Sequence, residues 1–322
     1  MKPRTDHTGP APAPFAPSRR TVLRAGALAA LALPLAAACT TGYQDGPDPL
    51  AALAAQARAD AAAATALAGA GGEQAKLAEQ VAAARTAQAA ALQSEVDRQN
   101  SPKAGDPADT GGGEGMNGLK QRLAQSRRHA EALVPDLPRY RAGLVAAVAA
   151  GCAALQRLSD QLGPGEDPQP VEAGKAGAIP AEAVDAMQQA LAAEHAAIWV
   201  YGLVSAFLPA NYTAATGEGA TEHRDRRDAC IRMLASAGAT PAPAEAAYVP
   251  PKPVTDGKSA MSVVGLAEGD AAAAWRGVLE HTDAKELRTV AAGALTGSAR
   301  RGTRWRIAAG DEPAALPLPG SP

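Results

Sequence analysis

Aromatic side chains are scarce in this chain: two Phe, five Tyr and three Trp in 322 residues, 3% in all. A core without rings must be built from small aliphatic side chains, and Ala dominates here, which favours closely packed helices over a β-sandwich or barrel. Cysteine is nearly absent as well. The three residues Cys39, Cys152 and Cys230 form no Cys-x-x-Cys and no His/Cys cluster, so no cysteine motif argues for a structural zinc site. Neither sign of charge prevails, with 31 Lys plus Arg against 33 Asp plus Glu. No basic patch interleaved with aromatics is present, so nucleic acid is not an expected partner. Gly-x-Ser-x-Gly, a phosphate loop and a dinucleotide fingerprint are all missing. No apolar run reaches the roughly twenty residues that cross a bilayer.

What is present begins near the N-terminus. Ser18-Arg19-Arg20-Thr21-Val22-Leu23-Arg24 precedes an uncharged stretch, Ala25 to Ala38, that stops at Cys39. A paired arginine ahead of a short apolar run reads as a twin-arginine export signal, with Arg19 and Arg20 as its signature. Leu35-Ala36-Ala37-Ala38-Cys39 resembles a bacterial lipobox, in which the cysteine is lipidated and becomes the new N-terminus. The leucine sits one place further from the cysteine than that motif has it. A plain export signal cleaved near Ala38 and a retained signal anchor are the alternatives. The expected location is the extracytoplasmic face of the cell membrane, through a lipid anchor on Cys39.

The pattern of the chain predicts an all-α protein in two modules. Residues 1–38 are the signal peptide and 39–49 a tether. An alanine-rich helical module spans 50–162, a Pro/Gly/acidic linker 163–179, a four-helix module 180–310, and a disordered Pro-rich tail 311–322. Whether the first module closes on itself or leans on the second is left open. Cys152 and Cys230 read as buried free thiols or, alternatively, as a disulfide. In the second module, helices are expected over about 180–208, 212–237, 259–282 and 283–309. Thr240 to Gly257 contains five prolines and cannot be helical. Its eighteen residues reach about 55 Å when extended, enough to run the length of a 25-residue helix. Two hairpins joined by one long crossover form the ferritin-like arrangement.

Ala190-Leu-Ala-Ala-Glu-His-Ala-Ala-Ile-Trp-Val-Tyr-Gly202 and Glu222-His-Arg-Asp-Arg-Arg-Asp228 resemble an actinobacterial family of exported ferritin-like domains of unknown function. The resemblance covers about Pro180 to Gly310. Leu137 to Cys152 is similar to the segment that precedes that domain in its lipoprotein members. The resemblance implies a fold and an address, and no established activity.

Charged residues interrupt the apolar seams. Val184, Met187, Leu191, Glu194, Ile198, Tyr201, Ser205 and Leu208 alternate steps of three and four, so Glu194 falls where an apolar residue belongs. His223, Arg227, Cys230, Leu234 and Ala237 form the facing seam, and Val264, Glu268, Ala271, Trp275 and Val278 the third. A carboxylate on a seam must be paired, protonated or metal-bound, because burying it alone costs several kcal/mol. Two outcomes follow. Glu194, His223 and Arg227 form a buried polar network that fixes helix register, with no cofactor. Alternatively, Glu194, His223 and Glu268 hold one iron, manganese or zinc ion. A carboxylate-bridged metal pair lacks its Glu-x-x-His motifs. The expected role is accordingly a non-catalytic binding or structural one at the cell envelope, with an envelope protein or a small ligand as partner. The alternative is a metal-binding protein or metal-dependent oxidoreductase.

Overall fold

The computed structural model describes residues 48–99, 115–163 and 179–321. Arg19, Arg20, Cys39 and the signal segment lie outside these residues, as does most of the expected interdomain linker. Eight α-helices and no strand occur among the described residues: α1 Pro49–Gly69, α2 Ala75–Gln99, α3 Gly115–Leu133, α4 Arg139–Leu155, α5 Val184–Val204, α6 Thr213–Ser236, α7 Gly257–Glu280 and α8 Lys285–Ala309. The protein is therefore all-α.

Local chemistry explains the helix ends. The Asp48 carboxylate accepts from the Leu50 backbone N–H at 2.9 Å, with Pro49 in the first turn, where its missing N–H costs nothing. Asp256 and Ser259 form a reciprocal capping box at the start of α7. α8 ends on Gly310, whose left-handed φ of 72° lets the chain turn away.

α4 is hydrophobic on every side, and a helix of that kind is buried. Ala142, Gly143 and then Val145 through Leu155 are all buried. It packs against α3 on one side and against α7 and α8 on another. One apolar cluster accordingly joins Leu50, Leu92 and Val145 to Met187, Trp275 and Leu295. The described helices belong to a single compact unit, Pro47–Pro322. No described helix is long and apolar enough to cross a membrane.

Among the last four helices, paired contacts set direction. Glu194 meets Trp275 and Tyr201 meets Glu268, so α5 and α7 run antiparallel. Arg226 meets Ser298 while Glu218 lies near Arg304, so α6 and α8 are antiparallel too. The 237–256 connection follows α5. Gln188 donates to the Thr240 carbonyl at 2.8 Å and accepts from the Ala242 N–H at 3.0 Å. Further along, Trp199 packs against Tyr248 with ring centroids 6.1 Å apart.

The expectation of a disordered tail is corrected. Ala314, Ala315 and Pro319 are buried, and Gln88 Nε2 donates to the Pro317 carbonyl at 2.7 Å. Gly151 of α4 makes the seat: a Cβ there would lie 2.1 Å from the Pro317 oxygen. Composition predicts disorder from proline content, but a proline-rich segment stays ordered when a groove of small residues accepts it. Cys152 and Cys230 are both free and buried.

Candidate functional site

Glu194, His223 and Glu268 sit on α5, α6 and α7, and the structure brings all three together with no exposed surface. His223 Nδ1 lies 2.5 Å from Glu194 Oε2, and its Nε2 lies 3.2 Å from Glu268 Oε1. A neutral imidazole has one donor and one acceptor nitrogen. Facing a carboxylate on each side, the ring satisfies both contacts only as the doubly protonated imidazolium.

Aromatic and guanidinium donors supply the other contacts to the two carboxylates. Trp275 Nε1 donates to Glu194 Oε1 at 2.6 Å. Tyr201 donates its phenol to Glu268 Oε1 at 2.6 Å and accepts from Trp305 Nε1 at 3.1 Å. Arg301 Nε donates to the same Glu268 oxygen at 2.7 Å. Arg226 spans to α8, donating to Ser298 Oγ at 2.9 Å, and also donates to Glu222 at 2.9 Å. Three carboxylates, two guanidiniums and one imidazolium make the cluster neutral. That balance is what lets charged groups survive in a medium where an unpaired ion costs several kcal/mol.

The sequence placed Arg227 in this network, and the structure corrects it. Arg227 is half-buried and pairs with its neighbour Asp228 at 2.7 Å, while Arg226 is the buried arginine. Positions three and four beyond His223 fall on either side of its direction by 60° and 40°, so helical spacing alone does not choose between them. Gly297 chooses. A Cβ there would lie 2.3 Å from Arg226 Nη2, and its absence opens the slot that the guanidinium enters. The α5 seam also drifts: Ala197 and Val204 are buried where Ile198 is only half-buried and Ser205 exposed, because a straight helix drifts by about 20° per heptad against a strict seven-residue repeat. Arg301 had no assigned partner in the sequence. Glu194 lies about as far before the end of α5 as His223 lies after the start of α6, which makes them level, but the same count on the α7–α8 hairpin sets Glu268 against Gly297, about one turn short of Arg301.

Proton affinities follow from these contacts. Burial opposes the charged form of His223, but Glu194 and Glu268 outweigh it and raise its pKa. Burial likewise opposes ionised Glu268, yet Arg301 and His223 hold it well below the usual carboxylate range. Glu194 is lowered against its burial by His223 and Arg226. Burial and then Glu268 push Tyr201 well above its ordinary value.

A pH window follows. The raised His223 contributes stability fully below its unfolded pKa of about 6.5, and this is lost as pH rises through the folded value. The two lowered glutamates contribute fully above about 4.3, and this is lost as pH falls through their folded values. The urea midpoint of the cluster's contribution should therefore be highest between roughly pH 4.3 and 6.5. His223→Gln should remove the alkaline limb. An alkaline limb of the same size in that variant would show that another group carries it.

Among the described residues, no group of three or more His, Cys, Asp and Glu is arranged to hold a metal ion. A second charged cluster lies in the first half, where the sequence suggested no chemistry. Arg85 on α2 donates to Asp60 on α1 and to Ser126 on α3, each at 2.8 Å, and to Cys152 Sγ on α4 at 3.2 Å. Read along the chain, these residues are isolated polar positions in alanine-rich helices, and nothing in their spacing links them.

Residues 186–322 match a family described as a domain of unknown function, DUF4439. The chain is also similar to a conserved hypothetical protein from Mycobacterium tuberculosis, solved by crystallography. The two are 38% identical over 40% of this chain and 99% of the other, with a TM-score of 0.39. No curated protein matches. Over residues 186–322 the chain thus carries a DUF4439 domain of unknown function.

Proposed function

We propose that this protein is an exported lipoprotein, anchored through Cys39 on the extracytoplasmic face of the cell membrane. Its C-terminal half is a ferritin-like bundle serving a non-catalytic binding or structural role, with an envelope protein or a small ligand as partner. The anchoring part of the proposal rests on Arg19-Arg20 and the lipobox-like run into Cys39. The ferritin-like part rests on two antiparallel hairpins joined by the 237–256 connection, which makes α6 and α7 parallel.

One observation carries the non-catalytic part: the network closes on itself. A histidine that binds a metal must offer a ring lone pair. Here Nδ1 and Nε2 both face carboxylates, at 2.5 and 3.2 Å, as a proton donor does. Arg301 and Tyr201 donate to the Glu268 oxygen that faces His223, and Arg301 Nη2 lies 3.4 Å from the other. These residues do not fit an iron, manganese or zinc ion; they fit an ion-pair network that locks helix register.

Two measurements on the chain expressed with its own signal test the proposal. Cell fractionation should find the protein with the membrane, and Cys39→Ser should release it to the soluble fraction. Mass spectrometry of protein purified without chelator should find metal far below one equivalent. Near-stoichiometric iron, manganese or zinc that is lost in Glu194→Gln would replace the network reading with a metal-binding one. An unchanged membrane fraction in Cys39→Ser would end the lipid-anchor reading.

A further inference from the structure

A cleft of about 460 Å³ opens between the C-terminal half of α5 and the N-terminal half of α6. That volume falls within the range typical of small-molecule sites. Tyr201 is among its lining residues. It is 1% exposed, and its hydroxyl is committed to Glu268. Leu208 and Pro209, on the connection between the helices, add apolar surface at one end.

Glycine is costly inside a helix, by about 1 kcal/mol relative to Ala. Three glycines nevertheless occupy facing parts of α5 and α6. Gly219 has a packing reason, since a Cβ there would lie 2.4 Å from the Tyr201 ring. Gly202 and Gly217 have none: a Cβ on either meets nothing within 4 Å. Both line the cleft. Their missing side chains leave flat backbone surface and open volume beside a buried phenol ring.

The lining has one charged residue, Arg224, which is exposed and has no ion-pair partner among the described residues. Ser205 and Thr216 donate their hydroxyl protons to the backbone carbonyls of Gly202 and Tyr212, which leaves oxygen lone pairs for a ligand. The site therefore combines an apolar slot, hydroxyl acceptors and a single cationic group.

We propose that this cleft binds a small organic anion, with its apolar, planar body between Gly202 and Gly217 beside Tyr201 and its anionic group on Arg224. This gives a ligand class to the binding role proposed above. It depends neither on lipid anchoring nor on the metal content of the network, so the fractionation and metal measurements can fail while this stands.

The test uses the full chain and 8-anilinonaphthalene-1-sulfonate, a planar aromatic sulfonate that fluoresces in apolar sites. Saturable one-to-one binding is expected. Arg224→Gln changes an exposed side chain and should weaken binding at least tenfold. Gly217→Leu projects a side chain into the cleft and should abolish saturable binding without lowering the thermal midpoint, because leucine is the better helix former. That unchanged midpoint separates a blocked cleft from a damaged fold. Absence of saturable binding, or equal affinity in wild type and both variants, would overturn the proposal.

Discussion

Glu268→Ala should destabilise the protein by about 3–5 kcal/mol, the range for removing one partner of a buried ion pair. The carboxylate takes the Tyr201 phenol at 2.6 Å, Arg301 Nε at 2.7 Å and His223 Nε2 at 3.2 Å. Its loss leaves a guanidinium, an imidazolium nitrogen and a phenol in a site that water does not reach. Against a total of about 5–15 kcal/mol for a folded domain, this is a large fraction. Glu194→Gln should cost less, about 1–3 kcal/mol, since the amide oxygen still accepts from one of its two donors, Trp275 or His223. Urea unfolding followed by far-ultraviolet circular dichroism measures both. Adding Arg301→Met to Glu268→Leu should recover much of the loss, because an apolar pair of similar volume replaces an orphaned charge. A Glu268→Ala cost below about 1 kcal/mol would mean that these charges are solvated and hold nothing together.

Arg85→Ala should bring a loss of similar size, about 3–5 kcal/mol, in the other half of the molecule. Its guanidinium ties α2 to α1 through Asp60, to α3 through Ser126 and to α4 through Cys152. Arg85 and Asp60 are each 1% exposed, so solvent screening does not reduce the pair to the value of a surface salt bridge. Arg122, 3.7 Å from the other Asp60 oxygen, takes up part of the stranded charge and should hold the cost nearer the lower figure. A double-mutant cycle of Asp60→Asn and Arg85→Met reads the coupling directly. Strict additivity of the two single costs would show that the contact carries no energy of its own.

Much of the second half was legible because its seams are regular. A carboxylate interrupting an apolar seam, as Glu194 and Glu268 do, announces a buried charge in need of partners. Matching depths along an antiparallel hairpin then nominates His223. The same counting did not separate Arg226 from Arg227, because that choice depends on the slot at Gly297, 71 residues downstream in the chain. The Arg85 cluster was not legible at all. Lone polar residues in alanine-rich helices look alike whether they face water or a neighbour. Only the burial of α4 among the other helices turns Arg85, Asp60 and Ser126 inward.

The amino-acid sequence by itself determined the helices and most of their ends, the non-helical 240–257 crossover, and the buried positions of Glu194, His223 and Glu268. These depend on local periodicity, on proline and capping chemistry, and on interactions within a few turns. The tertiary structure alone decided which guanidiniums neutralise those carboxylates and that the proline-rich tail lies ordered over Gly151. It also decided that α4 packs against α7 and α8 as well as α3. Each of these depends on which surfaces meet and how closely. Closeness is set by a missing Cβ at Gly151 or Gly297, and that absence gains meaning only once the partner across the gap is in place.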